Sequence, residues 1–277
     1  MKPAGGAAIA VAALLLAACA GLPAAPPTAD IVLTGYLADT VTARLAAEVP
    51  PPSPTPTPAD RAGSDAYRTL EGGDRWLMAV THAEFRPPFV AQQFDCAVGA
   101  RMTAQPMPAL TRLMTRLQID TVATGGLARG VNPRLRPAVV DPQRRVCIRL
   151  TEAGRAAPSW PSIAAAVGTA YADLFSDLAP DRSVPVQRIG REIGLSRAVC
   201  GLDWPSDVSA GAGLGHTVYA AVASTPAFQD DLALARVEVT AVRSAAGPES
   251  PGCAAERRLF PSDARRDQAG RGAASAP

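Results

Sequence analysis

Apolar side chains recur along this chain at intervals of three and four. Leu110, Leu113, Met114 and Leu117 share one helical face in a segment opened by Pro106 and Pro108, whose fixed φ suits a helix start. Pro161 to Leu178 is Ala-rich and places Ser162 as an N-cap, which predicts a closely packed second helix. Over Val184 to Cys200, Val186, Ile189 and Ile193 form a stripe that Arg197 continues four positions on. A guanidinium on an apolar face needs an anionic partner. Val208 to Ala223 and Pro226 to Arg243 read as two more helices, and Ile31, Leu33, Leu37, Val41 and Leu45 as a short one within Asp30 to Glu48. No segment alternates with period two, so the expected class is all-α, a helical bundle.

The ends of the chain have a different texture. The run Pro50-Pro-Pro-Ser-Pro-Thr-Pro-Thr-Pro58 forces extended backbone, because each ring fixes φ and denies its predecessor the α region. Ala245 to Pro277 is rich in Gly, Pro, Ala, Ser, Arg and Asp, and is expected to be mostly disordered. The expected organisation is therefore a leader over residues 1–18, a tether, short helix and stiff linker over 19–59, a folded body over 60–244, and a tail over 245–277.

Composition narrows the function classes. The 277 residues are 48% hydrophobic and 19% charged, which fits a folded body and neither a disordered polyampholyte nor a membrane bundle. With 27 basic against 25 acidic side chains the formal charge is +2, too small a field to gather nucleic acid. Lys2 is the sole lysine, so an arginine at a site where related chains carry lysine is unsurprising.

Lys2, the apolar stretch Ala7 to Ala18 and the run Leu16-Ala17-Ala18-Cys19 read as an export signal that resembles a bacterial lipobox. Cys19 would then become the lipidated first residue of an exported protein anchored in the envelope and facing the periplasm. Ala20 in the next position, where no aspartate stands, points by resemblance to the outer membrane. Four cysteines remain, Cys96, Cys147, Cys200 and Cys253, and an even number in an exported chain predicts two disulfides. Three connectivities are open, of which the sequential one, Cys96 with Cys147 and Cys200 with Cys253, is the expectation. No C-x-x-C pair exists, so zinc-ribbon and thioredoxin readings fail, and neither a metal nor a cofactor is expected.

Three segments carry candidate chemistry when read together: Arg129-Gly-Val-Asn-Pro-Arg-Leu-Arg136-Pro137, Pro161-Ser162-Ile163-Ala164, and Ser196-Arg197-Ala-Val-Cys-Gly-Leu-Asp203-Trp-Pro-Ser-Asp207. Their order and spacing resemble the bacterial class A acid phosphatases, of the type 2 phosphatidic acid phosphatase and vanadium haloperoxidase superfamily. That family's pattern is K-x6-R-P, then P-S-G-H, then S-R-x5-H-x3-D. Asp65-Ala-Tyr67, Arg75-Trp76, Phe94-Asp-Cys96-Ala-Val-Gly99 and Thr225-Pro-Ala-Phe228-Gln extend the resemblance over most of the body.

The resemblance implies a helical bundle of the acid phosphatase and haloperoxidase type, and hydrolysis of phosphomonoesters through a phosphohistidine. It places Arg129, Arg136, Ser162 and Arg197 around a phosphate, where rigid guanidinium forks and the amides at a helix start suit a dianion. Asp207 takes the place of the carboxylate that orients the nucleophile. The two histidines are missing: Ala164 stands at the general-acid position and Asp203 at the nucleophile position, with Ile163 replacing the intervening glycine.

Neither histidine in the chain replaces them. His216 lies nine residues after Asp207 on the same predicted helix and so on the opposite face, and His82 reads as a surface or helix-end residue. A β-branched side chain at position 163 would obstruct phosphate where glycine admits it. Asp203 has two readings, an internal counter-ion for Arg136 or Arg197, or a nucleophile that would form an aspartyl-phosphate; its own charge repels an incoming phosphate and favours the first. Gly211, Gly213 and Gly215 follow no strand and read as helix packing. The sequence thus points to a lipid-anchored envelope protein with a degenerate phosphatase site, binding phosphate or a phosphomonoester or serving as a scaffold. A phosphatase rerouted through Asp203 is the alternative, and no protein partner is named by the residues.

Overall fold

The computed structural model describes residues 33–131, 133–245 and 247–260. The leader and Cys19 lie outside these residues. In chain order the helices are α1 (Asp39–Ala47), α2 (Pro58–Ala66), α3 (Asp74–Thr81), α4 (Asp95–Val98), α5 (Pro108–Val131), α6 (Pro137–Val140), α7 (Glu152–Ala156), α8 (Ile163–Leu178), α9 (Ser183–Val199), α10 (Pro205–Ala223), α11 (Pro226–Ser244) and α12 (Cys253–Leu259). No strand occurs among the described residues, and the class is all-α. None of their helices is long and apolar enough to cross a membrane.

The bundle is built around α8, which packs against α5, α9, α10 and α11. Ser162 caps it, its Oγ accepting from the Ala165 amide. Its alanines and glycine let neighbours approach to backbone distance. A Cβ added at Gly211 would sit 2.2 Å from the Ser162 carbonyl oxygen, and one at Gly215 would sit 2.3 Å from that of Ala166. Those two glycines are helix-packing positions, whereas the place of a Cβ at Gly213 is open. Tyr171, Phe175, Leu174, Ile189, Val218 and Phe228 fill the core from α8, α9, α10 and α11.

Residues ahead of α1 are clamped to the outside of α5. The Asp120 carboxylate accepts from the amides of Tyr36 at 2.7 Å and Leu37 at 3.3 Å. Arg116 donates to the carbonyls of Thr34 and Gly35, and its guanidinium lies over the Tyr36 ring. The helix expected within Asp30 to Glu48 thus shrinks to α1, because Gly35 and Tyr36 spend their backbone groups on α5.

Two expectations are corrected. The disulfides are Cys96–Cys253 and Cys147–Cys200, not the sequential pairs, because the C-terminal segment returns across the body to α4 while the loop after α6 meets the end of α9. The tail also contains structure up to residue 260. Cys253 is buried, α12 follows from it, and Phe260 packs beside His82 and Arg75. One covalent tie and one aromatic ring order a segment whose composition alone could not.

Candidate functional site

Four chain segments converge at one end of the bundle. Arg129 comes from the last turn of α5, Arg136 from the N-cap of α6, Ser162 from the N-cap of α8 and Arg197 from the last turn of α9. After α9 the chain turns through Gly201, whose φ of 69° is left-handed and favours glycine. The amides of Leu202 and Asp203 both return to the Arg197 carbonyl. This turn carries Asp203 into the middle of the cluster.

Asp203 is 1% exposed and both its oxygens are occupied. Oδ1 accepts from Arg136 Nη1 at 2.5 Å, and Oδ2 from Ser162 Oγ at 2.6 Å and Arg197 Nε at 3.4 Å. Burial works to raise its pKa, but the charges of Arg197, Arg136 and Arg129 and the Ser162 bond prevail and hold it below the ordinary carboxylate value. Arg136 spends its remaining donors on carbonyls, with Nε to Gly154, Nη1 also to Leu202 and Nη2 to Pro158. Arg129 donates to the carbonyls of Pro161 and Ser159. Burial, outweighing the attraction of Asp203 and joined by repulsion from Arg136 and Arg197, lowers its pKa to about 10.

A second layer of ion pairs lies beneath the first. Asp207 accepts from the Trp204 amide and from Arg134 Nη1, both at 2.7 Å. Arg134 Nη2 reaches Asp60 at 2.6 Å, and Asp60 accepts in turn from the Ser206 and Thr57 amides. Burial and repulsion from Asp203 push Asp207 up to about 6. Sequence reading missed Arg134 and Asp60. Arg134 stood inside the first segment as a spacer, and Asp60 at the edge of the body, where only the capping pattern Thr57-x-x-Asp60 marked it.

Ile163 and Ala164 sit at the start of α8 with local partners. Ala164 is buried at the start of α8. Ile163 leans on α5, where a Cβ at Gly125 would come within 2.9 Å of its Cγ1. His82 sits at the C-cap of α3 as a helix-end residue, yet it is buried, not on the surface. Its Nδ1 is 2.8 Å from Ser196 Oγ, which also accepts from Arg75. Burial, aided by the Arg75 charge, lowers its pKa to about 4, so it is neutral at pH 7. His216 is exposed and meets Asp173 of α8, ten residues along that helix from Ile163. Neither imidazole bonds a member of the Asp203 cluster.

The arrangement offers three guanidiniums and a capped helix start around one carboxylate that already fills their anion-binding positions. Ser162 Oγ donates to that carboxylate and is spent as well. No family model matches the chain. Among curated proteins it is 31% identical over 199 residues to the non-specific acid phosphatase of Salmonella typhimurium, an alignment covering 69% of this chain and 78% of that one. It is 30% identical over 183 residues to the acid phosphatase of Zymomonas mobilis, covering 66% of this chain and 69% of the relative. The non-specific acid phosphatase of Providencia stuartii is 30% identical over 185 residues, with 65% and 73% covered.

Proposed function

Because the chain belongs to the family of bacterial non-specific acid phosphatases, whose activity is phosphomonoester hydrolysis, we propose that it is a non-catalytic member of that family. It retains the phosphate cradle and holds its own carboxylate there. In the envelope it serves as a phosphate-responsive binding or scaffolding lipoprotein, exported by its leader and anchored through Cys19. One observation carries this reading: Asp203 stands where the family pattern has its nucleophile, and both its oxygens are bonded to Arg136, Ser162 and Arg197.

An attacking carboxylate needs a free lone pair aimed at phosphorus and an acid to protonate the leaving oxygen. Asp203 has its oxygens turned into guanidinium and hydroxyl donors, and Ala164 has no proton to give. The three arginines nonetheless exceed the single carboxylate, so the cluster keeps a net attraction for an anion able to displace Asp203.

The test is hydrolysis of an aryl phosphate between pH 4 and 8 by the parent and by a variant carrying Ile163→Gly, Ala164→His and Asp203→His. An inactive parent and a variant that gains turnover support the reading. Parental turnover that disappears in Asp203→Asn would instead establish the route through Asp203.

A further inference from the structure

Eleven large apolar side chains are exposed among the described residues, and five of them fall between Val122 and Val140. On α5, Val122, Leu127 and Val131 are 38%, 50% and 72% exposed, and Leu135 in the following loop is 62% exposed. At ~100° per residue, Val122, Ala123, Gly126, Leu127, Gly130 and Val131 share one half of the helix circumference. Thr121, Thr124, Gly125 and Ala128 fill the other half and are buried. Apart from the helix's own backbone, no atom lies within 4 Å of where a Cβ would stand on Gly126 or Gly130, so this half of α5 is uncovered. Residues 122–140 include no acidic side chain. One and a half turns upstream Arg116 and then Arg112 bound the face, and both are paired with Asp231 of α11.

The position of the face in the chain says what covers it. The described chain begins at Leu33, fourteen residues after Cys19, and Thr34 to Leu37 are pinned to α5 by Arg116 and Asp120. Asp120 is two residues before Val122, so the segment arriving from Cys19 meets the body where the apolar face begins. Fourteen residues reach at most about 50 Å. A lipid on Cys19 therefore keeps this face within reach of the bilayer at a high effective concentration, where a weak contact suffices.

We propose that the outward face of α5 from Val122 to Val131 rests on the membrane surface, with Val122, Leu127 and Val131 at the headgroup and acyl boundary. The proposal deepens the lipid-anchor reading and rests on it for the concentration argument. A second copy of the chain fits less well. The face offers on the order of 400 Å² of side chain, about half of what each partner contributes to a standard protein interface. Interfacial helices bind through the apolar area they bury at the headgroup and acyl boundary.

The test uses the full mature chain with Cys19→Ala, which removes the anchor, and vesicles of phosphatidylethanolamine and phosphatidylglycerol in equal parts. Co-sedimentation should show binding. Val122→Ser, Leu127→Ser and Val131→Ser together should lower the partition coefficient about tenfold or more, while Val184→Ser, a 78% exposed position on α9, leaves it unchanged. Absence of parental binding, or equal binding by the triple variant, overturns the proposal. So does a dimer in sedimentation equilibrium that only the triple variant loses. Labelling with a palmitate analogue in cells reads the anchor separately: an unlabelled protein that still binds vesicles refutes the anchor and leaves the face standing.

Discussion

Replacing Asp203 with asparagine removes one negative charge from a site that is 1% exposed and changes little in shape. Arg136 loses its ionic partner at 2.5 Å and Arg197 its partner at 3.4 Å, while Arg129 nearby has only carbonyls to hold it. Breaking a buried ion pair costs about 3–5 kcal/mol. Asparagine keeps one oxygen for Arg136, so a loss of about 2–4 kcal/mol follows. For a domain of this size each kcal/mol moves Tm by about 2–4 °C, which puts the variant roughly 10 °C below the parent. The same change creates a vacancy for an external anion. Phosphate at a hundred times its Kd would return about 2.7 kcal/mol, so added phosphate should restore most of the lost Tm and barely move the parent.

Thermal melts with and without phosphate, joined by calorimetric titration with phosphate or vanadate, read both halves. The counter-ion account fails if Asp203→Asn melts with the parent, or if it binds phosphate no more tightly. The pH range is set by sign: a carboxyl held below its ordinary 3.8 stabilises the fold above that value and loses its effect only as pH falls through the lowered one. Asp203 is therefore ionised throughout pH 4 to 8, and the comparison is valid across that range.

Further outcomes are expected. His82, lowered from 6.5 to about 4, binds its proton first in the unfolded chain, so stability falls as pH drops through that window by up to about 3 kcal/mol. Asp207 and Glu256, raised to about 6 and about 7, act in the opposite sense, so denaturant titrations at pH 4.5 and 7.5 should show a smaller acid loss in His82→Gln than in the parent. Arg134→Ala strands Asp60 and Asp207 in the interior and should cost about 3–5 kcal/mol or prevent folding, whereas Arg68→Ala, at a half-exposed surface pair, should cost under about 1 kcal/mol. Peptide mapping of the oxidised protein should recover Cys96–Cys253 and Cys147–Cys200, and removing the first bond should lower stability by roughly 2–4 kcal/mol and expose Phe260 to limited proteolysis.

The helices were legible because their signals are local. Ser162 as a cap and the 110–117 stripe each act within a turn or two, whereas α10 starts at Pro205, three residues before the Val208 start expected from the sequence. The candidate site was reached through a resemblance in the order and spacing of three short segments, and the structure brings Arg136, Ser162, Arg197 and Asp203 from them into contact. What escaped depends on contacts far apart in sequence. Cys96 pairs across 157 residues, Asp60 meets Arg134 across 74, and His82 is buried by Ser196 and Phe260, which no local pattern ties to it. The tail shows the limit of composition, since a Gly- and Ala-rich stretch can be ordered by a covalent bond it does not advertise.

On the non-catalytic reading proposed above, the two ion layers account for an arginine cluster that holds no histidine. A family member emptied of its nucleophile would leave Arg129, Arg136 and Arg197 facing one another, and mutual repulsion in a buried site would favour their loss. Asp203 supplies the missing anion from within, at a turn that Gly201 directs back over Arg197. Beneath it, Asp207 need not orient a nucleophile, because Arg134 and the Trp204 amide hold it as part of the link between α10, α2 and the loop before α6. Each charge in the two layers thus has a structural partner. Removing Asp203 would leave Arg136 and Arg197 without an ionic partner, and removing Arg134 would strand Asp60 and Asp207, which makes the single-residue variants at these two positions informative.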